Sequence, residues 1–236
     1  MPDPDALAAE QARITEVYAR REAELAGVYS PTPGNRYVVA RREEATRALL
    51  ESAGLADLAG RRILEVGCGH GGELERLVAW GADPALLGGV DLLPDRVAAA
   101  RARLPAADVR VADARDLPYP DGHFDLVMQV TLFSSILDPA IRVAAAAEVR
   151  RVLRPTGHVL WVDMWIVRPD RPLAAMPLAE IRRLFPGWKL DWRRAVLNPL
   201  LARRLAPLSP RACDILAKLP LLQTYNIALL TCASSS

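Results

Sequence analysis

Cysteine is nearly absent from this 236-residue chain. Cys68, Cys213 and Cys232 stand far apart and form neither a disulfide framework nor a metal-ligand spacing. Lysine is scarcer still, since only Lys189 and Lys218 are lysines among 30 basic residues. With so much Ala, Leu and Pro alongside, that imbalance reads as the coding bias of a GC-rich genome rather than as selection for phosphate contacts. The net charge of +2 shows no global excess of either sign. No apolar run reaches the roughly 18–20 residues needed to span a bilayer, so integral membrane association is not expected. The opening MPDPDALAAE is acidic and has no apolar signal core, so export by that route is not expected either. The expectation is a cytoplasmic, metal-free protein.

What is present suits one globular domain carrying a lid. Hydrophobic residues make up 51% of the chain and charged ones 25%, enough apolar surface to offset chain entropy over most of its length. Charge is unevenly spread. Residues 181–218 hold nine basic side chains against Asp191 and Asp214, a face suited to an anionic substrate or surface, although a solvated helix face is the simpler use.

Residues 4–26 and 37–53 have helical spacing, separated by a Pro/Gly-rich break at 29–35. From Arg61 short apolar runs alternate with helical stretches. Strands are expected at 63–66, 86–91, 109–111, 124–130 and 158–167, and helices follow to Trp80, from Pro94, and from Asp138 to Leu153. Beyond Pro169 the pattern reads as helix 178–185, strand 188–197, helix 200–219 and strand 225–232. Alternation of this kind implies parallel βαβ units in a doubly wound α/β sheet, which binds ligands at the carboxyl ends of its strands.

The sharpest signal is ILEVGCGHGGEL at 63–74. Glycines between a first strand and its helix let a ligand approach the backbone and aim free N–H groups at an anion. Gly67, Gly69 and Gly72 formally satisfy G-x-G-x-x-G, so a dinucleotide reading has to be weighed. Asp91 ends the second strand in GGVDL, where an acid can accept from ribose hydroxyls. The third strand runs into VADARDLP at 111–118, PDGHFDLV at 120–127 enters the fourth, and RRVLRPTG at 150–157 closes the long helix.

Jointly, over roughly residues 60–167, these segments resemble the class I methyltransferases that use S-adenosylmethionine (SAM) and release S-adenosylhomocysteine. The resemblance implies a mostly parallel seven-stranded sheet with N-terminal helices and a helical insertion between the last two strands. Residues 1–55 would form a cap, and 56–236 the SAM-binding domain with its insertion near 199–220. It implies that Glu65 lies near the amino-acid end of the cofactor, with Gly67, Cys68 and Gly69 in the turn against it. Asp91 and Leu92 would meet the ribose, and Asp113 and the Ala114 amide the adenine. Gln129, after the fourth strand, would face the site, while Tyr29 and Arg42 of the N-terminal segment would reach the cofactor carboxylate.

Methyl transfer is a direct displacement, so positioning matters more than a base. Asp163, in LWVDMW, and His70, in the glycine turn, are the candidate catalytic groups. After the fourth strand stands QVTLFSSI, with neither the Asn/Asp-Pro-Pro-aromatic motif of adenine methylation nor the Pro-Cys pair of cytosine C5 methylation. The expected acceptor is therefore a small molecule, apolar or anionic, with no nucleic acid partner; O-methylation is slightly favoured over N- or C-methylation, and a homodimer is conceivable. Two alternatives stay open: an NAD(P)-dependent oxidoreductase, and a SAM-binding domain that regulates without turnover.

Overall fold

The structure is a computed structural model that describes residues 32–232 together with Ala12, Arg13 and Glu16. Most of the expected helix over 4–26, and Tyr29, lie outside the described residues.

Seven strands form one sheet in the order β3-β2-β1-β4-β5-β7-β6. They are β1 (Ile63–Val66), β2 (Leu87–Asp91), β3 (Asp108–Val111), β4 (Phe124–Val130), β5 (Leu153–Met164), β6 (Lys189–Leu197) and β7 (Gln223–Thr231). Only β7 runs antiparallel, slotted between β5 and β6. Within residues 32–232 the α-helices are α1 (Pro33–Ser52), α2 (Gly72–Ala79), α3 (Pro94–Arg103), α4 (Pro139–Val152), α5 (Leu178–Leu184), α6 (Pro199–Leu205) and α7 (Pro210–Leu216). Each face of the sheet carries its own apolar core. Helices α1, α2 and α3 cover Ile63, Leu87 and Met128, while α4 and α5 cover Leu64, Val127 and Trp161.

Local chemistry sets the boundaries. Proline opens five of the helices, at the position where its missing N–H costs nothing. Side-chain caps from Thr32, Asp138, Asn198 and Ser209 satisfy further orphan donors. The Thr32 cap and Pro33 explain why α1 begins four residues ahead of the expected 37. The insertion, expected as one helix over 200–219, is two helices, because Pro207 and Pro210 break the run and Ser209 caps the second. Strand β5 begins at Leu153 rather than 158, since α4 passes straight into it.

Two close approaches position the site. In β2, a side chain at Gly89 would start 2.9 Å from Leu74 Cδ1 and 3.1 Å from Cys68 Sγ, so α2 and the turn before it can lie flat on the strand only over glycine. In α1, a Cβ on Gly34 would sit 2.3 Å from Arg203 Cα. That backbone contact docks α6 on α1. Arg203 Nε donates to Asn35 Oδ1 at 2.8 Å, and the Tyr37 hydroxyl donates to Asp214 Oδ1 at 2.9 Å. The insertion and the first described helix thus pack as one layer over the α1 side of the sheet. Among the described residues no helix is long and apolar enough to cross a membrane.

Candidate functional site at the carboxyl ends of the strands

The turn after β1 is held from below. Gly67 N and Cys68 N both donate to Val90 O, at 2.8 and 2.9 Å, clamping the turn to β2. Gly67, Gly69 and Gly71 take φ of 78°, 51° and 78°, the left-handed region where a Cβ is disfavoured. Asp91 completes the clamp. Its Oδ2 accepts from Gly69 N at 2.9 Å and its Oδ1 from Leu93 N at 3.0 Å. Each oxygen keeps a lone pair for another donor. The acid and the glycine turn, read separately in the sequence, are one bonded unit. Beside Gly69 nothing lies within 4 Å of a would-be Cβ, whereas Gly67 is covered by Leu132, whose Cδ1 would be 3.0 Å away.

Glu65 lies on the sheet face beneath α1 and α2. It is only 2% exposed, and its Oε2 has no hydrogen-bond partner. Burial, and then the nearby Glu73 carboxylate, push its pKa well above the ordinary carboxylate range. Above it runs a charged network. Arg42 and Arg76 both bond to Glu73, Arg76 Nε stands 3.3 Å from Glu43, and Trp80 Nε1 donates to Glu43 at 3.0 Å. Arg42, expected to meet a cofactor carboxylate, is thus engaged by Glu73. A hollow opens between α1, α2 and the ends of β4 and β5, walled by Arg42, Glu73, Arg76, Met128, Val130 and Val162. The sequence reading missed Glu73 and Arg76. Their spacing within the first turns of α2 was visible, but not that α1 crosses them.

At the far side of β2, Asp113 is held by its own neighbour. Arg115 Nε and Nη2 donate to its two oxygens at 2.8 and 2.6 Å, and Arg115 N adds a third bond at 2.9 Å. Ala114 and Leu92 are half-buried beside these acids. Cys68 is buried, and burial raises its thiol, keeping it a neutral packing group. His70 projects from the turn and is exposed. Gln129 is fully buried. Its Oε1 accepts from Leu132 N at 3.0 Å while Nε2 has no partner, so it shapes the loop after β4 from inside and presents no group at an open surface.

Asp163 also departs from expectation. It is 0% exposed, with Oδ2 accepting from Ser134 N at 3.0 Å and Oδ1 from Met164 N at 2.8 Å. The aspartate therefore anchors the turn at 131–135 instead of facing an acceptor. That turn is strained: Thr131 has φ 58°, and its carbonyl accepts from the Ser134 and Ser135 hydroxyls. Arg13 Nη2 donates to Ser135 O of the same turn at 2.8 Å.

Burial pushes Asp163 up from 3.8 to about 6. The native state then holds this proton more tightly than the unfolded chain, so the contribution to stability is complete below 3.8 and is lost as pH rises through about 6. The loss amounts to about 3 kcal/mol. Urea midpoints of the wild type and Asp163→Asn at pH 4.5 and 7 test this. The wild type should lose more stability than the variant over that interval; parallel behaviour would refute it.

Comparison with known proteins gives a consistent picture. Residues 63–157 match the family model of a methyltransferase domain. The chain is 43% identical over 136 residues to a fatty-acid O-methyltransferase of Mycolicibacterium smegmatis, covering 54% of this chain and 47% of that protein. It is 39% identical over 151 residues to the phthiotriol/phenolphthiotriol dimycocerosates methyltransferase of Mycobacterium tuberculosis, covering 63% and 49%. It thus spans about half the length of these relatives. Among solved structures, a SAM-dependent methyltransferase from Archaeoglobus fulgidus superposes with a TM-score of 0.57 at 15% identity, covering 80% of this chain and 93% of that one. The [4+2]-cyclase SpnF superposes at 0.56 with 23% identity, covering 80% and 81%. These superpositions concern the fold alone.

Proposed function

We propose that the chain is a class I SAM-dependent methyltransferase, a reading supported by the methyltransferase-domain match over residues 63–157 and by its methyltransferase relatives, and that it transfers a methyl group to an oxygen of a small, lipid-like acceptor. The observation that carries the reading is the orphaned, buried Oε2 of Glu65 beside the glycine turn. A buried carboxylate without a donor is costly, and an ammonium group placed against it would remove the cost. The amino-acid end of SAM offers that ammonium. The open space over Gly69 and the remaining lone pairs of Asp91 fit a ribose.

When bound, SAM supplies an electrophilic methyl group on a sulfonium. The work of the protein is to bind and orient. Glu65 takes the ammonium, Asp91 accepts from the ribose hydroxyls, and Asp113 with the Ala114 amide borders the adenine. Helix α1 and the insertion close over the site as a cap around a domain that starts near 56. The apolar walls at Met128, Val130 and Val162 border the cofactor side of the site, and the Arg42 and Arg76 charges there are met by Glu73 and Glu43. A carboxylate acceptor is already ionised at neutral pH and needs no general base. That agrees with a site whose buried acid, Asp163, has both oxygens engaged and whose His70 stands at the rim. The fatty-acid O-methyltransferase relative supports a carboxylate, and the dimycocerosate relatives support an alcohol as the second choice.

Calorimetric titration with SAM, S-adenosylhomocysteine and NADPH tests the cofactor. Micromolar affinity for the two sulfur ligands and none for NADPH is expected. Incubation with SAM and free fatty acids should then yield products heavier by one methylene. Tight NADPH binding without a SAM response would return the oxidoreductase reading, and SAM binding without turnover on any acceptor would favour a regulatory domain.

A further inference from the structure

The two insertion helices pack one side on the core, through small residues together with Leu201, Leu205 and Leu216, and leave other large residues outside. Ala202 and Ala206 of the α6 segment, and Cys213 of α7, enter the core shared with α1. Their opposite faces are solvent-exposed: Leu200 and Arg204 one turn apart on α6, Arg211 and Ile215 one turn apart on α7. Lys218, Leu219 and Leu221 continue the exposed side past α7, and Leu208 crowns the turn between the helices. Exposure reaches 82% at Leu208, 66% at Ile215 and 84% at Leu221. Ten large apolar side chains are exposed among the described residues, and five of them fall within residues 199–222. Scattered exposed leucines need no explanation, but a concentration on one insertion does.

We propose that this insertion docks the protein on an anionic bilayer surface, with Leu208, Ile215 and Leu221 entering the headgroup layer and Arg204, Arg211 and Lys218 meeting lipid phosphates. Charge selects this occupant. Within 199–222 the basic residues are Arg203, Arg204, Arg211 and Lys218, and the one acid, Asp214, is bonded to Tyr37 on the inner side. A second copy on a two-fold axis would set this basic patch against itself. An anionic leaflet instead attracts each cation and takes the leucines. The inner face of the insertion rests on α1, which carries Arg42 to the hollow, so docking would set the site beside the membrane. The inference deepens the lipid-like acceptor reading of that site and rests on it only for its biological use.

The test is cosedimentation with vesicles of phosphatidylglycerol and phosphatidylcholine, against phosphatidylcholine alone. The wild type should sediment with the anionic vesicles, weakly or not at all with neutral ones, and less in high salt. Leu208→Ser/Leu221→Ser and Arg211→Glu/Lys218→Glu should each lower the partition coefficient at least about tenfold. Both variants alter exposed positions only, and their SAM affinity and thermal midpoint should match the wild type. No binding to anionic vesicles, or binding that neither variant weakens, would overturn the proposal. So would a concentration-dependent dimer that the leucine variant abolishes, which would assign the face to a second copy. SAM titration in free solution does not depend on the bilayer, so failure of docking is separable from failure of the methyltransferase reading.

Discussion

Asp91→Ala should weaken SAM binding by at least about a hundredfold, or roughly 3 kcal/mol. Two losses combine. The Gly69 and Leu93 N–H groups lose their acceptor, which loosens the turn at Gly69 while Gly67 and Cys68 stay tied to Val90. The ribose hydroxyls lose theirs at the same time. Asp91→Asn separates the two contributions, because Gly69 N and Leu93 N bond to different oxygens of Asp91 and the amide nitrogen that replaces one of them cannot accept; an intermediate loss is expected. Calorimetry with SAM and S-adenosylhomocysteine reads both variants, and circular dichroism checks that the sheet persists. Unchanged affinity in Asp91→Ala would remove the whole cofactor assignment, since the turn and the acid form one unit.

The second large effect lies away from that turn. Gly34→Ala places a Cβ 2.3 Å from Arg203 Cα. The obstacle is backbone, so no rotamer relieves it and α6 must lift from α1. Overpacking of this kind costs about 3 kcal/mol, more than the roughly 1 kcal/mol an alanine gains over glycine in a helix. The net loss of about 2 kcal/mol should lower the thermal midpoint of a chain of this size by about 4–8 °C. The Arg203–Asn35 and Tyr37–Asp214 bonds should break with the contact, exposing residues 199–222 to protease. Gly54→Ala is the control. Gly54 has φ +73° with no neighbour within 4 Å, so the substitution costs about 1–2 kcal/mol of backbone strain and should leave the digestion pattern unchanged. An unaltered midpoint in Gly34→Ala would mean that the cap is not docked through this crossing.

What the sequence determined by itself was the periodic and the local. A short, mostly apolar run between glycines placed β1, and the mostly apolar FDLVMQV placed β4, because a strand buried on both faces is predominantly apolar. Proline and capping residues marked the starts of α3 and α4, because the donors they satisfy or lack belong to the adjacent turn. Glu65, Gly67, Gly69 and Asp91 were legible as a group, since left-handed turns and strand-end acids carry a residue signature.

Tertiary structure alone decided the rest, and each case involves a partner distant in sequence. Nothing near Arg42 announces Glu73, and nothing near Gly34 announces Arg203. Asp163 in an apolar run looked like a reactive acid; only the packing of the 131–135 turn over β5 supplies the Ser134 N–H that occupies it. The antiparallel β7 between β5 and β6 is a further instance, because its residues read as an ordinary strand and its place depends on which edges remain free. Periodicity reports which face of an element is buried. It does not report against what, and the charged network over Glu65 is made of those pairings.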